Sequence, residues 1–304
     1  MYTKSLFIIL SFVCLLLYSI AFIGKTIEDS NQALIKKVLN KFTSSTFSSF
    51  LTGVLICLIT QSSSIITILT ISLISGKVLS LKKGLAILIG SNIGTTLVSL
   101  LISLNIGSFY YCFFVFAIIL LFLNKKQLSS FLIYIGLIFL SINSIENILL
   151  NSFDEVFIKD ILTKFENPLL GILSGIISSF IIQSSSTTIA LAQSMYETKL
   201  LSNVLGISIM LGANIGTTIS GLLFSINSSI DSKRVAVGSF LFNLFGVIFT
   251  IPFLYIYNTI ISSFNQQYLI SIMHIFFNII TGFLGILFIN PLTFLTIKII
   301  KDTP

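Results

Sequence analysis

The sequence contains one pair of motifs twice: QSSS at Gln61–Ser64 with GSNIGTT at Gly90–Thr96, and QSSS at Gln183–Ser186 with GANIGTT at Gly212–Thr218. A constant offset of 122 residues aligns residues 51–103 with residues 173–225 without a gap, and 23 of the 53 aligned pairs are identical. An internal duplication of this kind sets the architecture of a chain. Both copies place small polar residues inside apolar segments, where such residues are costly unless they have a function.

The composition indicates a membrane protein. Of the 304 residues, 55% are hydrophobic and only 9% are charged, and the apolar runs have about the 20-residue length of a membrane-spanning helix. The net charge of +7 comes from basic residues spread over short loops, which is typical of positive-inside topology and not of a nucleic-acid site. We therefore predict an all-α polytopic membrane protein, with one transmembrane domain over residues 1–304, that lies in a lipid bilayer and binds no nucleic acid.

The two QSSS segments, at about 46–76 and 168–198, allow two interpretations. Each is either one long helix or a re-entrant hairpin with QSSS at its tip, because neither arm alone crosses a hydrocarbon core of about 30 Å. Hairpins in both copies, with the N-terminus outside, put 13 of the 17 basic residues inside, whereas two spanning segments give at best 10 against 7. The charge bias expected of short loops favours the hairpins.

The hairpins determine the rest of the predicted topology. Three full crossings separate them, so the second copy enters the membrane from the opposite side. The repeats then have inverted topology, as in many secondary transporters. We predict about seven full spans, with repeat 1 at about 6–123, repeat 2 at about 128–262, and an extra C-terminal helix at about 267–297 whose end lies inside.

The serines at the two predicted tips suit an anion. Ser62–Ser64 and Ser184–Ser186 stand where a helix N-terminus exposes backbone N–H groups and partial positive charge, an arrangement that favours anions. Two such tips meeting near the midplane offer six hydroxyls, a set that fits a tetrahedral oxyanion. The alternative is that these serines bond back to helix carbonyls or hold neighbouring helices together.

The second motif predicts an interrupted helix and a cation site. The glycines Gly90, Gly94, Gly212 and Gly216 permit an unwound stretch, and its carbonyls together with Asn, Thr and Gln oxygens suit Na⁺. The alternative is close helix packing through small residues. No carboxylate lies deep in a predicted span, which argues against a proton relay. No Lys or Arg lies there either, so a multiply charged anion needs co-bound cations to offset its desolvation.

The paired motifs resemble the type II sodium–phosphate cotransporter family, in particular its short bacterial members. The resemblance implies a Na⁺-coupled phosphate transporter of the bacterial cytoplasmic membrane that works by alternating access, with Na⁺ as its only metal and no cofactor. It implies phosphate ligands at Ser62, Ser63, Ser64, Ser184, Ser185 and Ser186. It also implies candidate ligands for sodium or phosphate at Gln61, Asn92, Thr95, Gln183, Asn214 and Thr217.

Bacterial members of that family also have a His-x-x-Phe-Asn pattern near the end. His274–Asn278 matches this pattern, whereas Ser239–Asn243 has serine in the histidine position. His274 is expected to hydrogen-bond between helices rather than to bind substrate. Five further residues are expected to contact the ligand residues rather than the bound ions: Thr96, Thr218, Asn243, His274 and Asn278.

Other functions stay open at this point. A membrane enzyme with a serine nucleophile needs a base within reach, and the single histidine lies in a different segment without a partnering carboxylate, so we expect no enzyme. An ion channel needs rings of carbonyls around one axis, which two hairpins do not provide. Export instead of uptake, another small oxyanion as substrate, and assembly into a homo-oligomer are not decided by the sequence.

Overall fold

The computed structural model describes residues 4–19, 22, 42–60, 62–103, 110–152, 167–254 and 268–301. Every element in these ranges is a helix, as the composition predicts. The helices are α1 (Lys4–Ser19), α2 (Thr46–Thr60), α3 (Ser63–Ser75), α4 (Leu81–Ser103), α5 (Tyr110–Phe122), α6 (Lys126–Ser152), α7 (Pro168–Ile182), α8 (Ser185–Glu197), α9 (Asn203–Ser225), α10 (Ile230–Thr250), α11 (Leu269–Leu287) and α12 (Ile289–Ile299). A 3₁₀ turn at Ile251–Phe253 follows α10.

The outer surface of these helices is apolar. Large hydrophobic side chains lie exposed on most of them, among them Phe122 and Phe283, far more than a water-soluble monomer presents. Within the described ranges, segments of α6, α9, α10 and α11 are long and apolar enough to cross a bilayer. The chain is therefore a membrane protein. The number of spans and the side on which each terminus lies stay predictions.

Each QSSS motif interrupts a helix. In the second copy, Gln183 has φ 56° and ψ 26°, a left-handed conformation that ends α7. Ser184 and its counterpart Ser62 are extended, and α8 and α3 begin directly after them. The two helices of each pair contact each other, and both pack on one long helix, α4 for α2 and α3, and α9 for α7 and α8. An unbroken helix through the motif is therefore wrong, while re-entry into the membrane stays a prediction.

The predicted interruption at the second motif is also wrong. Helix α4 runs continuously through Gly90–Thr96, and α9 runs continuously through Gly212–Thr218. The glycines serve close packing instead. A Cβ on Gly90 would lie 2.1 Å from the carbonyl oxygen of Phe50 in α2, and one on Gly212 would lie 2.0 Å from that of Ile172 in α7. Small residues let helix backbones approach one another within a membrane. In this protein the glycines allow such close packing, and the helices do not unwind at them.

The C-terminal segment, predicted as one helix, is two. Helix α11 ends at Leu287 and α12 begins at Ile289. Pro291 explains the break, because proline lacks an N–H donor and its ring collides with the carbonyl four residues earlier, which belongs to Leu287. Helix α12 then packs mainly against α10 and α4.

The helices form two equivalent cores. One core joins α2, α3 and α4 with α10 and α12, and the other joins α7, α8 and α9 with α10 and α11. Helix α10 packs on α9, α4 and α3, whereas α11 packs on α4, α9 and α8. Helices α10 and α11 therefore have equivalent places: α10 contacts α9, α4 and α3 in the way that α11 contacts α4, α9 and α8. A smaller cluster ties α1 and α6 to α8 through Leu16, Ile138 and Ala190.

The close approach of α7 to α9 gives a first prediction. Gly212→Ala places a methyl group against the backbone of Ile172, so the helices must separate, at a cost of about 1–3 kcal/mol. Gly76→Ala is the matched control, since its Cβ has no neighbour nearer than 3.5 Å. Thermal unfolding of the purified proteins in detergent is expected to begin at a clearly lower temperature for Gly212→Ala alone. Equal midpoints for the two variants would contradict this packing role.

Candidate functional site

The first serine of each QSSS motif caps the helix that follows. The Ser62 hydroxyl accepts from the N–H of Ile65 at 3.4 Å, and the Ser184 hydroxyl accepts from the N–H of Thr187 at 3.2 Å. One such cap satisfies one of the donors that a helix leaves free in its first turn. The first-turn N–H groups of the next two serines, directed toward the tip, remain for another acceptor. Both tips therefore have the donors and the partial positive charge that anions prefer.

The two tips contact each other and the opposite repeat. The Ser64 hydroxyl donates to the carbonyl of Gln183 at 3.4 Å, which joins the first tip to the second. The Ser186 hydroxyl donates to the carbonyl of Thr95 at 3.3 Å, which joins the second tip to the motif of α4. The QSSS serines of one repeat thus lie beside the threonines of the other. Within one repeat the QSSS serines and the threonines lie 31–34 residues apart in the sequence, and this spacing does not show that each tip contacts the other repeat.

A polar cavity lies beside the first tip. It is enclosed by α3, α4, α9 and α10 and gives about 20 Å³ of space to the centre of a water-sized molecule, room for about one or two waters. None of the lining residues that the structure describes is charged. The polar lining residues are Ser63, Ser64, Thr67, Ser91, Asn92, Thr217, Thr218, Ser220 and Ser239.

The threonines of the second motif bond back to their own helices. The hydroxyls of Thr95, Thr96, Thr217 and Thr218 each donate to the carbonyl three residues earlier, at 2.6 to 3.2 Å. Since the hydrogen is used in the helix, each oxygen keeps a lone pair for a cation or for a donor. These threonines do not cap a new helix, because α4 and α9 continue through the motif.

The asparagines occupy matching places on four helices. The side chain of Asn92 donates to Oδ1 of Asn243 at 3.1 Å, which links α4 to α10. Asn243 and Asn278 each donate to the carbonyl four residues earlier, at Ser239 and His274. Asn214 bonds to Met210 within α9. Asn243 therefore contacts a predicted ligand directly, while His274 and Asn278 are fully buried in α11.

The structure gathers some of the predicted residues around the cavity and separates others. Ser63, Ser64, Asn92, Thr217 and Thr218 line it, and the other predicted residues of the described ranges are not among its lining residues. Ser185, Ser186, Thr95, Thr96 and Asn214 are buried, whereas Ser62 and Ser184 are partly exposed and Gln183 is exposed. Gln61 lies outside the described residues.

Four polar lining residues were not predicted as ligands: Thr67, Ser91, Ser220 and Ser239. Ser220 stands out because its buried hydroxyl has no hydrogen-bond partner among the described residues. It follows Thr217 by three residues and so shares its helix face. Helical spacing would have identified Ser220 from sequence, and likewise Thr67 three residues after Ser64, if the second motif had been taken as one continuous helix.

The Asn92–Asn243 hydrogen bond gives a second prediction. Asn92→Ala and Asn243→Ala are expected to be non-additive in thermal stability, with a coupling of about 0.6 and at most about 1.7 kcal/mol, as between polar residues of membrane helices. A double-mutant cycle on purified protein measures it. The control cycle pairs Asn243→Ala with Asn214→Ala, since Asn214 bonds within its own helix. Coupling as large in the control cycle would show that the contact is not specific.

The comparisons of this chain with known proteins agree on one family. The sequence model of the Na⁺/Pi-cotransporter family matches residues 15–147 and 149–290, and each matched part contains one QSSS and one Asn-Ile-Gly-Thr-Thr. The chain is 25% identical to "Uncharacterized protein YqeW" of Bacillus subtilis, over 96% of this chain and 97% of that one. No solved structure matches.

Two further relatives have names that refer to phosphate. The chain is 25% identical to "Putative inorganic phosphate export protein YjbB" of Escherichia coli, over 97% of this chain but only 56% of that protein's length. It is 34% identical to human "Sodium-dependent phosphate transport protein 2B" over 92 residues, which are 28% of this chain and 13% of the human protein.

Proposed function

The chain belongs to the Na⁺/Pi-cotransporter family, and from this premise we propose that it is a sodium-coupled transporter that moves inorganic phosphate across the membrane by alternating access. The observation that supports this most is the meeting of both repeats at one place. Ser64 of the first tip contacts Gln183 of the second, and Ser186 of the second tip contacts Thr95 of the first repeat. A site assembled from two halves changes its access when the halves move relative to each other.

Phosphate is proposed to bind at the tips, at Ser62–Ser64 and Ser184–Ser186. Its oxygens accept hydrogen bonds, and the tips supply first-turn N–H groups and hydroxyls. The capping hydroxyls of Ser62 and Ser184 orient those N–H groups, because they fix where each helix begins. A phosphate ion exceeds the present cavity, so binding requires the helices around it to move apart.

Sodium is proposed to bind the neutral oxygens of the second motif and the glutamines: Gln61, Asn92, Thr95, Gln183, Asn214 and Thr217. The threonine oxygens are suited to a cation since their hydrogens already bond to the helix. Among the described residues no charged side chain lines the cavity, so none of them is a counter-ion for phosphate there. Co-bound Na⁺ lowers the desolvation cost of the anion, and this dependence couples the two fluxes.

Export is a second candidate for the direction of transport. The name of the Escherichia coli relative refers to export, and that protein is nearly twice as long as the part this chain matches. A cotransporter moves both solutes along whichever combined gradient is imposed. The direction of transport therefore depends on the imposed gradients and on the orientation of the protein in the membrane. Transport by reconstituted protein under gradients of either direction tests this.

A third prediction concerns phosphate. Proteoliposomes with an inward Na⁺ gradient are expected to accumulate labelled phosphate, and those with an equal K⁺ gradient are not. Ser64→Ala removes a tip hydroxyl and is expected to lower the initial rate at least tenfold. The control, Ser72→Ala, removes an exposed hydroxyl of the same helix that bonds only to the Ile68 carbonyl, and it should transport normally. Equal accumulation with both cations, or an unaffected Ser64→Ala, counts against the proposal.

A fourth prediction concerns sodium. Gln183→Ala is expected to abolish sodium-stimulated transport, and Thr217→Ala to raise the Na⁺ concentration for half-maximal rate about tenfold, because each removes a proposed cation ligand. Thr293→Ala is the control, since this threonine of α12 also bonds back to its own helix, at the Ile289 carbonyl. Initial rates over a Na⁺ series at saturating phosphate measure the effect. Unchanged sodium dependence in both site variants would remove these residues from the sodium site.

A further inference from the structure

Two cavities lie along the seam between α10 and α11, the helices that have equivalent places in the two repeats. The first gives about 280 Å³ of space to the centre of a water-sized molecule and is completed by Leu292 of α12. The second gives about 200 Å³ and is completed by Met210 of α9. Phe249 and Thr281 line both cavities, so the two follow one another along the same pair of helices. Together they form the α10–α11 groove.

The lining of the α10–α11 groove is almost entirely apolar. Among its described lining residues, only Thr250 and Thr281 carry a hydroxyl, and each hydroxyl already donates to the carbonyl four residues earlier, at 2.8 and 2.6 Å. A water molecule in a cavity needs roughly two to four polar partners, so the groove suits hydrocarbon rather than water. Its phenylalanines are Phe242, Phe245, Phe249, Phe253, Phe277 and Phe288.

The groove opens on the outer surface of the helices. Phe245, Phe249 and Phe288 at its rim are 47%, 52% and 57% exposed, whereas Phe242 and Phe277, which form its floor, are only 6% and 5% exposed. Both α10 and α11 are long and apolar enough to cross a bilayer. An apolar opening on this surface is therefore accessible to the hydrocarbon of the membrane.

The length of the groove corresponds to one leaflet of a bilayer. From Phe242 to Phe253 the groove follows α10 and the 3₁₀ turn after it, a rise of about 16–18 Å, whereas the whole hydrocarbon core is about 30 Å thick. Phe253 ends the segment of α10 that is suited to crossing the membrane. The groove thus begins near one face of the core and ends near its middle, at Leu292. A spanning helix of a second copy would cross the whole core, but an acyl chain of one leaflet has the matching length.

The seam along the groove is the weak contact between α10 and α11. The two helices approach each other at Gly246, where an added Cβ would lie 3.0 Å from Thr281 and 3.2 Å from Phe277. Each of them packs more extensively on α4 and α9 than on the other. Lining atoms of an unfilled cavity lack van der Waals partners on one side, so an occupant of the groove would stabilise this seam.

We propose that the α10–α11 groove binds one acyl chain of a membrane phospholipid, which enters from the leaflet at the Phe253 end and reaches Leu292. The chain fills the space between α10 and α11 and holds them in their relative positions. Phe242 and Phe277 in its floor directly precede Asn243 and Asn278, so the lipid lies beside the helices that carry these two asparagines. Lipid binding in the groove does not depend on which solute the protein transports.

Lipid binding to the purified full chain tests this site. Leu284→Trp places a larger side chain in the first cavity, and Leu287→Trp is the matched control, because Leu287 lies on the same helix, is 65% exposed and lines neither cavity. Each delipidated protein is titrated with dioleoyl phosphatidylglycerol in a mild detergent. Native mass spectrometry counts the bound lipids, and thermal unfolding is followed over the same titration.

The wild-type protein and Leu287→Trp are expected to retain one lipid under conditions that remove the others. In Leu284→Trp the dissociation constant of that lipid is expected to rise at least fivefold. Because a ligand that binds only the folded protein raises its unfolding temperature, the lipid should raise the midpoint of the wild-type protein and of Leu287→Trp, but not that of Leu284→Trp. If Leu284→Trp does not fold, Ile280→Trp in the second cavity replaces it. Its control is then Ile279→Trp, which is exposed and outside both linings.

Three results would overturn the proposal. The first is a wild-type protein that retains no lipid. The second is equal retention by the groove variant and its control, which would mean that lipid binds only to the general apolar surface. The third is a wild-type dimer that the groove variant alone converts to monomers without a change in lipid binding, which would assign the groove to a contact between two copies of this chain.

Discussion

The backbone N–H groups at the two helix starts after Ser62 and Ser184 impose the main constraint on this protein. In hydrocarbon every backbone polar group needs a partner, so an interrupted helix is tolerated only where protein or a polar cavity surrounds it. The serine caps satisfy one N–H at each start, and the other N–H groups of the first turn have no partner within the helix. The surrounding helices serve to keep these two interruptions out of lipid and next to each other.

Continuous helices α4 and α9 meet this requirement because they are rigid and very closely packed. Glycines in each helix bring a neighbouring backbone to within contact distance, at Phe50 for α4 and at Ile172 for α9. An unwound stretch in the same place would have added more unpaired backbone groups to those at the tips. Continuous helices therefore hold these hydroxyls beside the tips with fewer unpaired backbone groups than loops would have.

The neutrality of the cavity relates the geometry to the chemistry of the family. The described lining of the cavity consists of hydroxyls, amides and apolar groups without a charged side chain, which is consistent with the proposal that an anion and a cation bind there together. Each repeat supplies one tip to the threonines of the other, so neither half is a site by itself.

The sequence by itself determined the membrane class, the duplication and the helical interruption at QSSS, and it singled out several of the residues that line the cavity, because composition and a repeated motif are local properties. It predicted an interruption at Gly90–Thr96 that does not exist, since glycine permits unwinding and close packing equally and only the neighbouring helix decides between them. It missed Pro291 as the end of α11, and Ser220 as a cavity residue, for the same lack of three-dimensional context. Only the tertiary structure decided that each tip faces the other repeat and that α10 and α11 have equivalent places in the two repeats, because these depend on contacts between residues distant in the chain.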